Sequence, residues 1–258
     1  QYFDYADLGS PLAINVPLGI TNNEDIELYF KALLESPPEG YSDYEKALGA
    51  VGAGSSKMAL FSFSRDKPTA EAVEELFLRL IAYTDPDYTT PYGSLTAKIR
   101  LHLIDHNDPS WDVLVHDDFD DGTTQGWDLG GPAVLKASGS PTEYYAVDRG
   151  PDTTHYISAP YAYSAWGHEQ YAHYHYKDIE VGSGYKEAVF IVHIYCKSGA
   201  DYAVFKLGNK IIFDAEWSPL DKWVRLALPL PTGQTTRAAF QTQDGQYMWI
   251  DEVFALAR

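Results

Sequence analysis

The sequence predicts an all-β protein built as two antiparallel β-sandwiches in tandem. Three observations carry that prediction: apolar residues recur at every second position, the alternating runs are separated by Gly, Pro, Asn and Asp clusters, and an acidic, breaker-rich stretch divides the chain. Ile26, Leu28, Phe30, Ala32 and Leu34 alternate behind the turn Thr21-Asn22-Asn23-Glu24, and a strand at 57–64 with Ala59, Phe61 and Phe63 on one face follows Gly52-Ala53-Gly54. Leu95, Ala97, Ile99, Leu101 and Leu103 alternate with Thr96, Lys98, Arg100 and His102, one face for a core and one for water. Between them lie Ser36-Pro37-Pro38-Glu39-Gly40, Asp66-Lys67-Pro68 and the turn-rich stretch 85–93.

One segment satisfies two periods. In 70–81, Val73, Leu76, Phe77 and Leu80 also fall at helical spacing, and Ala, Glu and Leu favour helix. A sandwich needs a partner strand there, so the segment is read as a strand over 75–83. The stretch 105–112, Asp-His-Asn-Asp-Pro-Ser-Trp-Asp, is the expected boundary, with a first domain at 19–108 and a second at 113–258. Strand patterning resumes at 188–196, 202–207, 210–213, 223–228, 237–241 and 247–256, and no internal repeat links the halves.

Composition bounds the function. Of 258 residues, 19 are Lys or Arg and 37 are Asp or Glu, a net charge of −18 that repels nucleic acid. A 45% hydrophobic and 22% charged content is that of a globular protein. No apolar run approaches the about 18 residues that read as a membrane-spanning helix, so membrane insertion is not expected. Cys196 is the single cysteine, so no intrachain disulfide forms, and its alternation with Val192 and Ile194 predicts a buried, inert thiol. Gln1 in place of Met leads to the expectation of a secreted protein, extracellular or on the cell surface, with its signal peptide removed. No Asn-x-Ser/Thr sequon is present, and five Asn, two Met and one Cys fit a heat-adapted source.

The second half opens with Asp117-Asp118-Phe119-Asp120-Asp121-Gly122-Thr123-Thr124-Gln125-Gly126-Trp127 and closes with Tyr247-Met248-Trp249-Ile250-Asp251-Glu252-Val253. Together with Trp223-Val224-Arg225 leading to Pro229-Leu230-Pro231, these resemble the first, last and late strands of galactose-binding-like jelly rolls, the fold of many carbohydrate-binding modules. The resemblance implies a structural calcium ion, with Asp118, Asp120 and Asp251 at the matching positions. A hard cation takes six to eight oxygens, and first and last strands are commonly neighbours in a jelly roll. The plain alternative is that these carboxylates are solvated or cap turns. The first half, with Asn22-Asn23 heading one strand and Gly54-Ser55-Ser56 preceding another, is similar to immunoglobulin-like domains of secreted prokaryotic proteins, which share no catalytic residues.

Residues 141–176 hold eight of the 20 tyrosines. Tyr171, Tyr174 and Tyr176 with Trp166 and Gln170 have the composition of a glycan-stacking face. Core filling and a protein interface are the other two readings of the same rings. His173 and His175 project from one side of a strand, where His168 or His193 would complete a zinc site; satisfied or exposed histidines are the alternative. No Gly-x-Ser-x-Gly elbow or His-Glu-x-x-His is present, and Ser55 stands where a phosphate loop needs lysine.

Residues 1–18 form a leading segment, with aromatic and acidic 1–8, a break at Gly9-Ser10-Pro11, and apolar 12–18. As a donor strand it would present Tyr2, Phe3, Tyr5, Leu8, Leu12, Ile14 and Val16 to a neighbouring subunit; pairing within its own sheet is the alternative. The leading expectation is therefore a non-enzymatic extracellular structural subunit of a filament, sheath or surface layer, a homopolymer joined by strand donation and calcium. The alternatives are a glycan-binding adhesin or carbohydrate-binding module of a secreted protein, and a viral surface or capsid-associated protein.

Overall fold

The computed structural model describes residues 2–120, 125–130, 145–148, 162–166, 173–197, 203–216, 218, 220–242 and 247–258, and none of these is helical. The chain forms two compact units, Gln1–Asn107 and Asp108–Arg258. Each pairs two sheets around one apolar core, as the alternation predicts.

The first unit contains β1 (Tyr2–Asp4), β2 (Leu12–Thr21), β3 (Leu28–Glu35), β4 (Tyr41–Ser42), β5 (Glu45–Val51), β6 (Ser56–Arg65), β7 (Ala72–Tyr83) and β8 (Pro91–Ile104). One sheet runs β1-β8-β7-β3-β5 and the other β2-β6-β4. Phe30, Ala32 and Leu34 of β3, Leu76 and Leu78 of β7, and Leu101 and Leu103 of β8 face Ile14 and Val16 of β2 and Phe61 and Phe63 of β6. The ambiguous segment is a strand: β7 pairs with β3 on one side and β8 on the other, beginning at Ala72, three residues before the expected start. Its two neighbours satisfy the backbone and select period two. Leu76 and Leu78 are buried, whereas Val73 and Phe77, the residues that mimic a helical stripe, point to water.

The leading segment folds into its own chain. β1 pairs in parallel with the end of β8, and β2 pairs antiparallel with β6 from Leu12↔Arg65 to Thr21↔Ser56. Five of the seven residues expected at an intersubunit interface, Phe3, Tyr5, Leu12, Ile14 and Val16, are instead core. Tyr2 sits 4.6 Å from the ring of His102, and Leu8 packs against the core while its carbonyl accepts Lys67 Nζ at 2.9 Å. Asp4, wholly buried, binds His106 Nδ1 at 2.8 Å and accepts the amides of Ala6 and His106. The reason is burial: without Ile14 and Val16 of β2, part of the apolar face of the opposing β3, β7 and β8 would lie open to water. Residues 1–18 are thus part of the first unit rather than a separate donor strand.

Two polar devices close this unit. Tyr41 of β4 and Arg65 of β6 both bind Glu74 of β7, joining the two sheets, with Arg65 Nη2 2.9 Å from Glu74 Oε1. Burial and then the bond to Glu74 push the Tyr41 phenol up; burial opposes ionisation of Glu74, but Arg65 and Tyr41 outweigh it and hold that carboxyl low. Buried Asn22 donates to the carbonyls of Ile26 (2.8 Å), Val51 (2.9 Å) and Gly52 (3.1 Å) and accepts the Glu24 amide at 3.1 Å. It pins the end of β2 to the end of β5.

The second unit contains β9 (Asp112–Asp117), β10 (Asp128–Gly130), β11 (Tyr145–Asp148), β12 (Ala162–Trp166), β13 (His173–Val181), β14 (Ala188–Cys196), β15 (Ala203–Leu207), β16 (Lys210–Asp214), β17 (Trp223–Pro229), β18 (Gln234–Thr242) and β19 (Tyr247–Ala257). One sheet runs β11-β12-β19-β14-β17 with β9 also on β19; the other runs β10-β13-β18-β15-β16. First and last strands are neighbours, Asp117 opposite Val253. Phe190, Val192 and Ile194 of β14 meet Ile179 and Val181 of β13, Phe205 of β15 and Phe240 of β18 in the core. Cys196 is wholly buried there, as the alternation predicts, and burial pushes its thiol up to about 12.

Replacing Asn22 by Ala strands three carbonyls and one amide at a buried turn and is expected to lower the stability of the first unit by about 2 kcal/mol. Urea unfolding followed by fluorescence checks this; a change within error would mean that water replaces the amide.

Candidate functional site

The solvent face of the five-stranded sheet is assembled by register. β13 alternates His175, Lys177, Ile179 and Val181 inward with Tyr176, Asp178 and Glu180 outward. Across the sheet one row runs Asp128, Tyr176, Ala239, Lys206, Ile211, and the next places Gln241, Val204 and Asp214 in line with position 174. Asp178 stands opposite Arg237, which grips it with two bonds, Nε to Oδ1 and Nη2 to Oδ2, each 2.7 Å. The guanidinium carbon lies 3.9 Å from the centroid of the Tyr176 ring. The hydrogen bond from Arg237 holds the Asp178 carboxyl below the usual carboxylate range, so the clamp on the tyrosine is charged at neutral pH. Ala239, the smallest side chain in its row and buried, stands between the positions of Tyr176 and Lys206.

The inner face of β13 explains why this row points outward. Lys177 Nζ donates to both oxygens of Asp117, 2.7 and 2.8 Å away, and to the Gln125 carbonyl at 2.7 Å. Trp127 Nε1 donates to Asp117 at 2.9 Å. Gly126, at φ +84°, makes the turn that brings the Gln125 carbonyl and the Trp127 indole to this cluster. Burial pushes the Asp117 carboxyl up, and the ammonium and indole offset that only in part. His175 stacks on Phe240, centroids 4.9 Å apart and planes 13° from parallel.

The sequence-expected site is brought together only in part. Tyr176 stands on this face, and Tyr174 occupies the neighbouring row opposite Gln241. Trp166 ends β12, which is hydrogen-bonded into the other sheet with Trp166 opposite Tyr247. Tyr171, Gln170 and His168 lie outside the described residues. The histidine pair does not form a zinc site with His193, which faces the Arg225 guanidinium and the Glu252 carbonyl in the opposite sheet. Among the described residues no three His, Cys, Asp or Glu side chains gather as a metal-binding group. Asp118, Asp120 and Asp251, the positions where the resemblance implies calcium, are not gathered as such a group. Asp118 Oδ1 accepts Gln125 Nε2 at 2.9 Å and the Asp120 amide at 3.2 Å, and Asp251 Oδ1 accepts the Glu252 amide at 2.8 Å. Among the described acids of this segment, Asp117 holds a cation, the Lys177 ammonium.

Sequence reasoning missed Asp128, Asp178, Lys206, Arg237 and Gln241. The usable signal was period two in β13 and β18, which puts Asp178 beside Tyr176 and Arg237 two positions from Ala239. It also missed a second aromatic row, Trp223, Tyr195 and Trp249, on adjacent strands of the other sheet, with centroids 5.7 and 5.6 Å apart.

No family model and no curated protein matches the chain. Solved structures similar to it include TmCBM61 in complex with β-1,4-galactotriose, 10% identical, covering 55% of this chain and 95% of that one, with a TM-score of 0.42. Others are the CBM22-1–CBM22-2 tandem domain of Xyn10C from Paenibacillus barcinonensis, 14% identical, 93% and 82% covered, TM-score 0.40, and its CBM22-1 xylan-binding domain, 17% identical, 57% and 94% covered, TM-score 0.37. All three are carbohydrate-binding modules, the kind of module whose motifs 113–258 resembles. At these TM-scores the likeness carries no argument about what this chain binds, which rests on its own residues.

Lys177→Ala leaves Asp117 buried without its counter-charge and is expected to destabilise the second unit by about 3 kcal/mol at pH 7. The loss shrinks on acidification. A carboxyl whose folded pKa is raised contributes stability below its unfolded pKa and loses it as pH rises, and the variant raises it further. Melting curves at pH 7 and pH 4 check the sign; an equal loss at both would assign Lys177 a packing role only.

Proposed function

We propose that this chain is a non-enzymatic, extracellular glycan-binding protein whose ligand lies across the solvent face of the β10-β13-β18-β15-β16 sheet. The observation that supports it is the Tyr176 ring held by Arg237 and Asp178, with Asp128, Lys206 and Gln241 in the same and the neighbouring row. A sugar presents apolar C–H patches and a rim of hydroxyls. An aromatic ring meets the first, and carboxylate, amide and ammonium groups meet the second. The ring is pre-positioned, so little freedom is lost on binding. Asp128, Asp178, Glu180 and Asp214 on this face, in a chain of net charge −18, favour neutral over acidic glycans.

A neutral oligosaccharide array followed by calorimetry tests the proposal. Tyr176→Ala is expected to weaken binding about tenfold, and Arg237→Ala by less, since it frees the ring without removing it. Both positions lie on the surface, so the melting temperature should hold. Affinity should stay level from pH 8 to pH 5 and fall only as Asp178 protonates below the usual carboxylate range. An empty array, or affinity indifferent to both substitutions, would overturn the reading.

A further inference from the structure

β8 of the first unit is an open edge. β1 pairs with it only at His102, Leu103 and Ile104, and upstream of Leu101 nothing among the described residues pairs with that side. Residues 91–98 are exposed on both faces of the strand. The core stripe of this strand runs out of cover along its length: Leu103 and Leu101 are 0% exposed, Ile99 is partly buried, and Leu95 is 68% exposed. Beside Leu95 an open groove of about 250 Å³ is floored by Gly19, Ile20, Leu80, Ala82 and Gly93. Edge strands are commonly blunted by bulges, by short length or by charges pointing inward. Here a bulge between Pro91 and Gly93 interrupts only the far end of the strand, pairing with β7 is regular from Gly93 onward, and Lys98 and Arg100 lie on the outward face only.

We infer that this edge joins two copies of the chain by antiparallel β8–β8 pairing about a two-fold axis at Ala97. The side-chain order makes that register self-complementary. Leu95 falls opposite Ile99 of the second copy and Ala97 opposite itself, which closes the uncovered apolar stripe. On the outward face Ser94 meets Arg100 and Thr96 meets Lys98, so no two like charges face each other. Moving the axis to Lys98 would set that lysine against itself. β8 itself contains no acidic residue in a chain that carries 37, and the carboxylates beside this face are already engaged, Glu75 with Lys98 at 2.7 Å and Glu35 with Thr96 at 3.4 Å and with Arg79 at 3.2 Å, so two chains of net charge −18 meet here with few free carboxylates. A leading strand buried in its own core is not available to join subunits, whereas this edge is.

Sedimentation equilibrium of the full chain over a wide concentration range tests the inference. A reversible dimer is expected. Thr96→Glu places a carboxylate opposite Lys98 in both symmetric positions and should tighten it about fivefold; Thr96→Lys should weaken it by a similar factor. Leu95→Lys with Ile99→Lys sets lysines opposite each other and should weaken the dimer at least tenfold, and Thr96→Lys remains informative if that double variant folds poorly. A monomer at every concentration overturns the inference. So does a dimer whose affinity ignores the charge at position 96, because association would then use another surface. Glycan binding resides in the other unit and is read separately, so either result leaves that proposal standing or falling on its own test.

Discussion

The ammonium of Lys177 on the carboxylate of Asp117 decides which side of β13 is inside, and the candidate site depends on that choice. Side chains alternate along a strand, so slipping β13 by one position would turn Tyr176 and Asp178 into the core and Lys177 out to water. Burying a carboxylate is unfavourable unless charge and hydrogen bonds compensate it, and here Lys177, Trp127 and the Gln125 turn all converge on one buried acid. Because Asp117 belongs to the sheet of β19 and Lys177 to the sheet of β18, the pair also sets how the two layers of this unit meet.

The first unit solves the same problem with different atoms. Glu74 of β7 takes Arg65 and Tyr41 from the facing sheet, and Asn22 secures the turn where β2 and β5 end. In both units the apolar contacts supply most of the driving force but little direction. The directional groups that cross between layers pick one arrangement out of several that would bury the same area. At Asp117 the Lys177 ammonium ties that segment together through one fixed charge carried by the chain itself.

The two proposals use opposite features of a sheet. The five-stranded sheet of the second unit offers a face, whose groups recognise a ligand through side chains. β8 of the first unit offers an edge, whose backbone pairs with another backbone and whose side chains set only register.

Alternation alone was enough to determine that the chain is all-β, and the acid-rich stretch at 105–112 brackets the division between Asn107 and Asp108. It was also enough to place Ile14, Phe30, Phe61, Leu101 and Phe190 on strands, because period two is a local property that burial on one face imposes. Position along the chain did not reveal where the leading strands dock. Tyr2, Phe3 and Leu12 look the same whether they pair with their own β8 and β6 or with another subunit, since the free partner strand is chosen only when the sheets close. Nor did it reveal that Asp118, Asp120 and Asp251 would not gather, or that Trp166 would leave its neighbouring tyrosines for the opposite sheet. Those outcomes hinge on register between strands far apart in sequence. Asp178 meets Arg237, and Asp117 meets Lys177, across about 60 residues of chain, and only the folded sheets bring them within hydrogen-bond distance.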